Sequence, residues 1–178
     1  MAHNTIRVGH VEILSLSDGI LEFDLCNFFP TIPQEDWQTY TAHLTPEHHV
    51  RLNLGSYLIR ADGRTILVDT GMGPRPLDAP DMPWGKLLDD FQANGVRPEE
   101  VDMVVMTHLH RDHVGWNLLS QNGKYAPTFP NARYWMSVKD WKYAISLMCK
   151  SSVSLTPRRV SGLWKNWGSL NSWTGNRP

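Results

Sequence analysis

Thr107-His108-Leu109-His110-Arg111-Asp112-His113-Val114-Gly115 is the stretch that decides the fold. Three histidines and an aspartate fall within six residues, directly after the apolar run Val101-Asp102-Met103-Val104-Val105-Met106. A strand that ends in such a cluster aims several side chains into one small volume. Neutral imidazole and carboxylate are the usual nitrogen and oxygen ligands of zinc and related ions, so metal binding is the chemistry this spacing serves. The bland alternative is a solvated polar turn rich in histidine, and four ligand-type side chains at this spacing count against it.

Upstream, Thr65-Ile66-Leu67-Val68 runs into Asp69-Thr70-Gly71-Met72-Gly73. The glycines permit backbone geometry that other residues resist, so Asp69 can be presented at a strand tip with its carboxylate facing a site. Ala61-Asp62-Gly63-Arg64 is a hairpin turn that joins this strand to another over Leu52 to Ile59. Between the two clusters, Pro74 to Pro83 reads as a proline-rich linker. Trp84, Leu87, Leu88 and Phe91 then recur at helical spacing over Trp84 to Ala93, and Asn94-Gly95 stops that helix.

Toward the N-terminus, Arg7 to Leu16 alternates apolar and other residues, with one irregularity near Gly9-His10. Ser17-Asp18-Gly19 is expected to close that strand with a turn, and Ile20 to Phe23 to pair back as a short one. Asn27 to Asn53 holds aromatics and prolines without a sustained period. A long loop with a helical turn at Gln34 to Thr41 is expected there, of the kind that shapes a binding pocket. After the histidine cluster, the expectations are a helix beginning over Trp116 to Gln121 and a strand Arg133-Tyr134-Trp135-Met136. Ser137 should then cap a helix over 138–145.

Composition bounds the function. With 178 residues and 41% hydrophobic side chains the chain can bury one core. Its 17 basic and 18 acidic residues leave no charge excess to attract nucleic acid or an acidic membrane surface. Cys26 and Cys149 form no CxxC pair, and neither an apolar leader nor a membrane-length run is present. A cytoplasmic protein with a small-molecule substrate is the expectation.

Leu67-Val68-Asp69-Thr70-Gly71 followed by Thr107-His108-Leu109-His110-Arg111-Asp112-His113 resembles the metallo-β-lactamase superfamily, whose signature is HxHxDH after a strand with an upstream aspartate in a VDTG-like turn. The likeness covers about residues 7 to 145, and the Thr-His-Leu-His-x-Asp-His-Val-Gly form looks most like the lactonase and organophosphate-hydrolase-like branch. It implies an α+β fold, the αββα sandwich, with only its N-terminal half expected in this chain. It also implies a dinuclear centre, usually of zinc, with iron or manganese as alternatives. By motif match His108 and His110 would bind the first metal, and Asp112 and His113 the second. Asp112 and Asp69 would be the catalytic carboxylates, Asp69 orienting ligands or bound water through a hydrogen bond. Such an ion lowers the pKa of its bound water to about 7 and polarises a carbonyl or phosphoryl oxygen, which suits hydrolysis of an ester, lactone or similar bond.

The pattern then breaks. The family's centre takes a further histidine, a bridging aspartate and a last histidine from its C-terminal half. Here the eight histidines stand at 3, 10, 43, 48, 49, 108, 110 and 113, and the only aspartate beyond them is Asp140. His48-His49 are poor substitutes, since adjacent histidines in a loop are usually solvated or packed. The first metal would keep two protein ligands, where a catalytic zinc normally has three.

Residues 146–178 form an atypical tail after a first unit of 1–145, without a clear period of either kind. Leu163-Trp164-Lys165-Asn166-Trp167-Gly168, back-translated and shifted in frame, spells an apolar residue, Glu, Glu or Lys, Leu, Gly, which is ordinary amphipathic helix text. A frameshift near Ser146 is therefore expected, against the alternative of a genuinely divergent tail. Losing half of a sandwich bares an apolar face, and at about 25 cal/mol per Å² that can exceed a typical net stability of roughly 5–15 kcal/mol. Poor solubility or a homo-oligomer is the expected consequence.

Two other functions stay open on the sequence. One is a catalytically silent fragment, or a partner that completes a site in trans. The other is an electron-transfer or flavoprotein partner with a di-iron centre, because ligand identity alone does not fix the metal.

Overall fold

A computed structural model describes residues 5–74, 84–121, 124–148 and 171–173. The expected linker beyond Pro74 and most of the 146–178 tail lie outside the described residues.

The body is a seven-stranded mixed sheet in the order β1-β2-β3-β4-β5-β8-β9. Strand β1 (Thr5–Val8) and β2 (Val11–Asp24) form a hairpin, so the irregularity at Gly9-His10 is its two-residue turn, with Gly9 at φ 62°. Strand β3 (His49–Ala61) pairs antiparallel with β2 and with β4 (Arg64–Val68). The β3–β4 turn is made by Asp62 and Gly63, both at positive φ, as a tight hairpin between twisted strands requires. From β4 onward the sheet turns parallel: β4 pairs with β5 (Met103–Val105), β5 with β8 (Arg133–Ser137), and β8 with β9 (Asn171–Trp173). Parallel neighbours need a crossover, and the helix α2 (Leu87–Ala93) lies in the connection from β4 to β5.

Register decides which face is core. Leu14, Leu58, Leu67, Val104 and Tyr134 stand opposite one another across five strands and are all buried. Leu87 and Phe91 of α2 join them in the same cluster, and the Phe91 ring meets Phe129 at 5.7 Å between centroids.

Several expectations are corrected. Ser17-Asp18-Gly19 does not end a strand. The strand β2 runs through it with a shift in register between Ser17 and Ile20, because the backbone there bonds onward to α2 instead of turning back. Trp116 to Gln121 is not helical either. Leu118–Gln121 is strand β6, paired antiparallel with β7 (Lys124–Pro127). Asn122-Gly123 between them is hairpin-turn sequence, a signal that competes with a helix start. The helix α2 begins at Leu87, so Trp84 precedes it and is partly exposed. In the 27–53 segment, Leu25–Phe28 forms a short helix α1, Gln34–His43 a 3₁₀ helix, and β3 begins at His49.

Other readings hold. Ser137 Oγ accepts the backbone N–H of Lys139 (3.2 Å) and Asp140 (3.4 Å) at the start of helix α4 (Val138–Met148), three residues longer than the spacing predicts. Among the described residues no helix is long and apolar enough to cross a membrane.

Candidate metal centre

The site forms where two neighbouring parallel strands end. Strand β4 stops at Val68 and β5 at Val105, and the backbone N–H of Asp69 bonds to the Val105 carbonyl (2.9 Å), so the two carboxyl ends are held level. Asp69 itself sits at φ 60°. This left-handed geometry, which Asp and Asn tolerate better than most residues, turns its side chain across toward the next strand end. The helix α3 (Arg111–Val114) follows His110 and carries Asp112 and His113.

Asp69 is 5% exposed and is the hub of the site. Its Oδ1 accepts the Thr107 N–H (2.8 Å), its Oδ2 accepts the Thr107 hydroxyl (2.6 Å), and Oδ2 also lies 2.8 Å from Nδ1 of His113. A carboxylate oxygen accepts, so this last bond places a proton on Nδ1 of His113. Thr107 extends the chain. Its one hydroxyl proton goes to Asp69, so the contact of its Oγ1 with Nδ1 of His108 at 3.0 Å makes His108 the donor. Both rings thus carry a proton on Nδ1.

The three rings lie together. His108 and His110 centroids are 4.6 Å apart, and His108 and His113 centroids 3.9 Å apart. Burial, followed by the neighbouring His113 and His110, holds His108 below the ordinary imidazole range. That lowering favours the neutral ring, the form that binds metal. Asp112 Oδ2 lies 3.4 Å from Nε2 of His113.

The five residues singled out from the sequence, Asp69, His108, His110, Asp112 and His113, are thus near neighbours. Their donor types are those zinc accepts. Their arrangement falls short of a site: among the described residues no group of three or more His, Cys, Asp or Glu is placed to hold a metal ion. His49 is turned elsewhere, with Nδ1 3.0 Å from Glu22 Oε1 on the outer strands. The 25–48 segment borders a cavity of about 420 Å³ lined by Asp24, Cys26, Trp37 and His48 among others, and none of the five residues is in its wall.

Two contributors were not legible as such. Thr107 stands inside the motif, but its bridging role needs the Asp69 geometry to be seen. Asp18 is the larger omission. It is 1% exposed, and the buried Trp116 points its indole N–H at Asp18 Oδ1 (2.7 Å).

Comparison with known proteins gives the family and the fold. The family model described as the metallo-beta-lactamase superfamily matches residues 55–173. Metallo-beta-lactamase domain-containing protein 1 of Mus musculus is 44% identical over 59 residues, 31% of this chain and 22% of that protein. Its Xenopus laevis counterpart is 36% identical over 84 residues, 43% of this chain and 32% of that protein. Among solved structures, AidC, described as a dizinc quorum-quenching lactonase in complex with a product, superposes with a TM-score of 0.77 at 22% identity, over 99% of this chain and 62% of that one. The hydrolase AbOPH, described as in the beta lactamase superfamily, superposes with a TM-score of 0.67 at 26% identity, over 91% of this chain and 53% of that one. The chain thus spans less than two thirds of each of these relatives. Its mixed sheet with helices is the α+β fold they share.

Proposed function

The chain belongs to the metallo-β-lactamase superfamily, and from that premise we propose that it carries the donor face of a metal-dependent hydrolase acting on an ester, lactone or similar bond. The observation that carries this reading is the convergence of His108, His110 and His113 beside Asp69, with His113 oriented by a 2.8 Å contact at its Nδ1. The hydrolase and lactonase descriptions of AbOPH and AidC support the reaction class. In the complete centre His108 and His110 serve one ion, and Asp112 and His113 a second. Zinc is the first choice, with iron and manganese open to the same donors. The further histidine, bridging aspartate and last histidine that the family's closed centre takes have no matching residues after His113 in this sequence. The proposed setting is the cytoplasm and the proposed partner a small-molecule substrate, with self-association of the chain as the expected state.

A second reading is favoured by one observation, that no three described donors are placed to hold an ion. In it the chain is catalytically silent alone, or completes a site in trans. Hydrolysis of a p-nitrophenyl ester and of an N-acyl homoserine lactone, measured with added zinc, separates the two. Turnover that disappears in His113→Ala supports the hydrolase. No turnover by the wild-type chain supports the silent form.

A further inference from the structure

Asp18 takes no part in the histidine cluster, yet the segments that carry the cluster are built onto it. Its carboxylate is enclosed in the β2 bulge. Oδ2 accepts the backbone N–H of Met72 (2.5 Å), and Oδ1 accepts the backbone N–H of Leu87 (2.6 Å) and the indole N–H of Trp116 (2.7 Å). The Gly73 N–H is a fourth donor. A buried carboxylate is costly unless hydrogen-bonded, and here the donors come from three separate places in the chain. The space is cut to fit: a Cβ on Gly71 or on Gly85 would fall onto the Asp18 carboxylate.

Met72 is three residues beyond Asp69, and Trp116 three beyond His113. Between them the two segments are zipped by backbone bonds. Thr70 N–H donates to the His113 carbonyl (2.7 Å), Gly115 N–H to the Gly71 carbonyl (2.7 Å), and Trp116 N–H to the Thr70 carbonyl (3.0 Å). The Thr70 hydroxyl lies 3.1 Å from both the His113 carbonyl and Asn117 Oδ1, which share its one proton. One end of this zip is the Asp69–His113 contact. The other is the single carboxylate of Asp18.

We infer that Asp18 is a positioning residue of the candidate site: by holding Met72 and Trp116 on one carboxylate, it sets the spacing of the Asp69 and His113 segments and so maintains the Asp69–His113 bond. Its functional meaning rests on the proposed hydrolase reading, whereas the positioning itself does not. A purely structural role would be to tie β2 to α2. Asp90 already makes such a tie, its Oδ2 accepting the Ser17 N–H at 2.8 Å. Asp90→Asn is therefore the control that weakens the β2–α2 joint.

The test is heteronuclear NMR on the metal-free full chain, at one fixed pH above the imidazole range. Asp18→Asn changes the acceptor, and Gly85→Ala displaces the unaltered carboxylate by crowding. Both are expected to shift the Trp116 indole resonance and to convert His113 from a single Nδ1–H tautomer to a mixture. Both should also speed amide exchange of Thr70, Gly115 and Trp116 by about tenfold, the scale of one lost hydrogen bond. Asp90→Asn should leave the His113 tautomer as it is. A folded Asp18→Asn chain with the His113 tautomer unchanged overturns the inference, as does an equal effect from Asp90→Asn. Should the variants not fold, wild-type exchange decides. Met72, Leu87, Thr70, Gly115 and Trp116 opening as one unit supports the inference, and independent opening refutes it. No readout uses metal or turnover, so failure here is distinct from failure of the hydrolase reading.

Discussion

Asp69 Oδ2 and His113 Nδ1 stand 2.8 Å apart across 44 residues of sequence, the first just past the end of β4 and the second on helix α3. Around this contact the chain solves a local problem. Imidazole has two chemically different nitrogens, and a ligand or base must present the right one. A carboxylate behind the ring fixes the choice before any ligand arrives. The cost is a largely buried acid in left-handed backbone, which the Thr107 N–H and hydroxyl offset.

Asp69→Asn should lose about 1–2 kcal/mol, because the amide group then points a donor at Thr107 Oγ1 and His113. Asp69→Ala should lose about 3 kcal/mol, since it leaves all three donors unmatched and puts a Cβ residue less tolerant of φ 60° there. Urea unfolding at neutral pH gives the order. Equal losses would mean that the hydrogen bonds do not set the stability of this corner.

Thr107→Val removes the hydroxyl that links His108 to Asp69 while keeping shape. The expected result is a loss of about 1 kcal/mol and a mixed His108 tautomer in the nitrogen spectrum, with Thr107→Ser restoring both. Retention of one tautomer in the valine variant would remove Thr107 from the chain.

Gly115→Ala tests the close approach of the two loops. Gly115 has ordinary helical angles, so the substitution is not strained by φ, but its Cβ would fall on the backbone of Met72 and Gly73. Backbone cannot swing aside as a side chain does, and a loss of about 3 kcal/mol is expected by thermal or urea unfolding. A neutral result would show that the loops separate freely.

Burial pushes the Asp18 carboxyl up to about 6, against the lowering effect of its bonds from Trp116, Met72 and Leu87. The folded chain therefore holds this proton more tightly than the unfolded chain, where the group titrates near 3.8. Its contribution to stability is full below about pH 4 and is lost as pH rises through 6. The stability of wild type relative to Asp18→Asn should thus fall between pH 4 and pH 7, by on the order of 3 kcal/mol. A flat or rising difference in paired unfolding curves would contradict it.

The strand ends and the cluster were legible in the sequence because each carries its own local chemistry. Val68-Asp69-Thr70-Gly71 and Met106-Thr107-His108 are apolar runs that stop at residues unsuited to continue a strand, and Asp62-Gly63 is a turn wherever it occurs between strands. Asp18 was not legible, because Ser17-Asp18-Gly19 has the letters of a turn and its partners lie 54, 69 and 98 residues away. A trace existed in the shift of apolar phase from Leu14 and Leu16 to Ile20, which is what a bulge does to alternation. Trp116 to Gln121 was misread for a similar reason: Leu118-Leu119 suits helix or strand, and the Asn-Gly that follows was the deciding signal.

Zinc titration of the purified chain, followed by metal analysis after a chelator wash, tests the central claim most directly. Half a centre predicts weak zinc uptake that is abolished in the His108→Ala, His113→Ala double variant and that a chelator strips readily. Two equivalents retained by a monomer after the wash would contradict it, because the chain would then close the centre by itself.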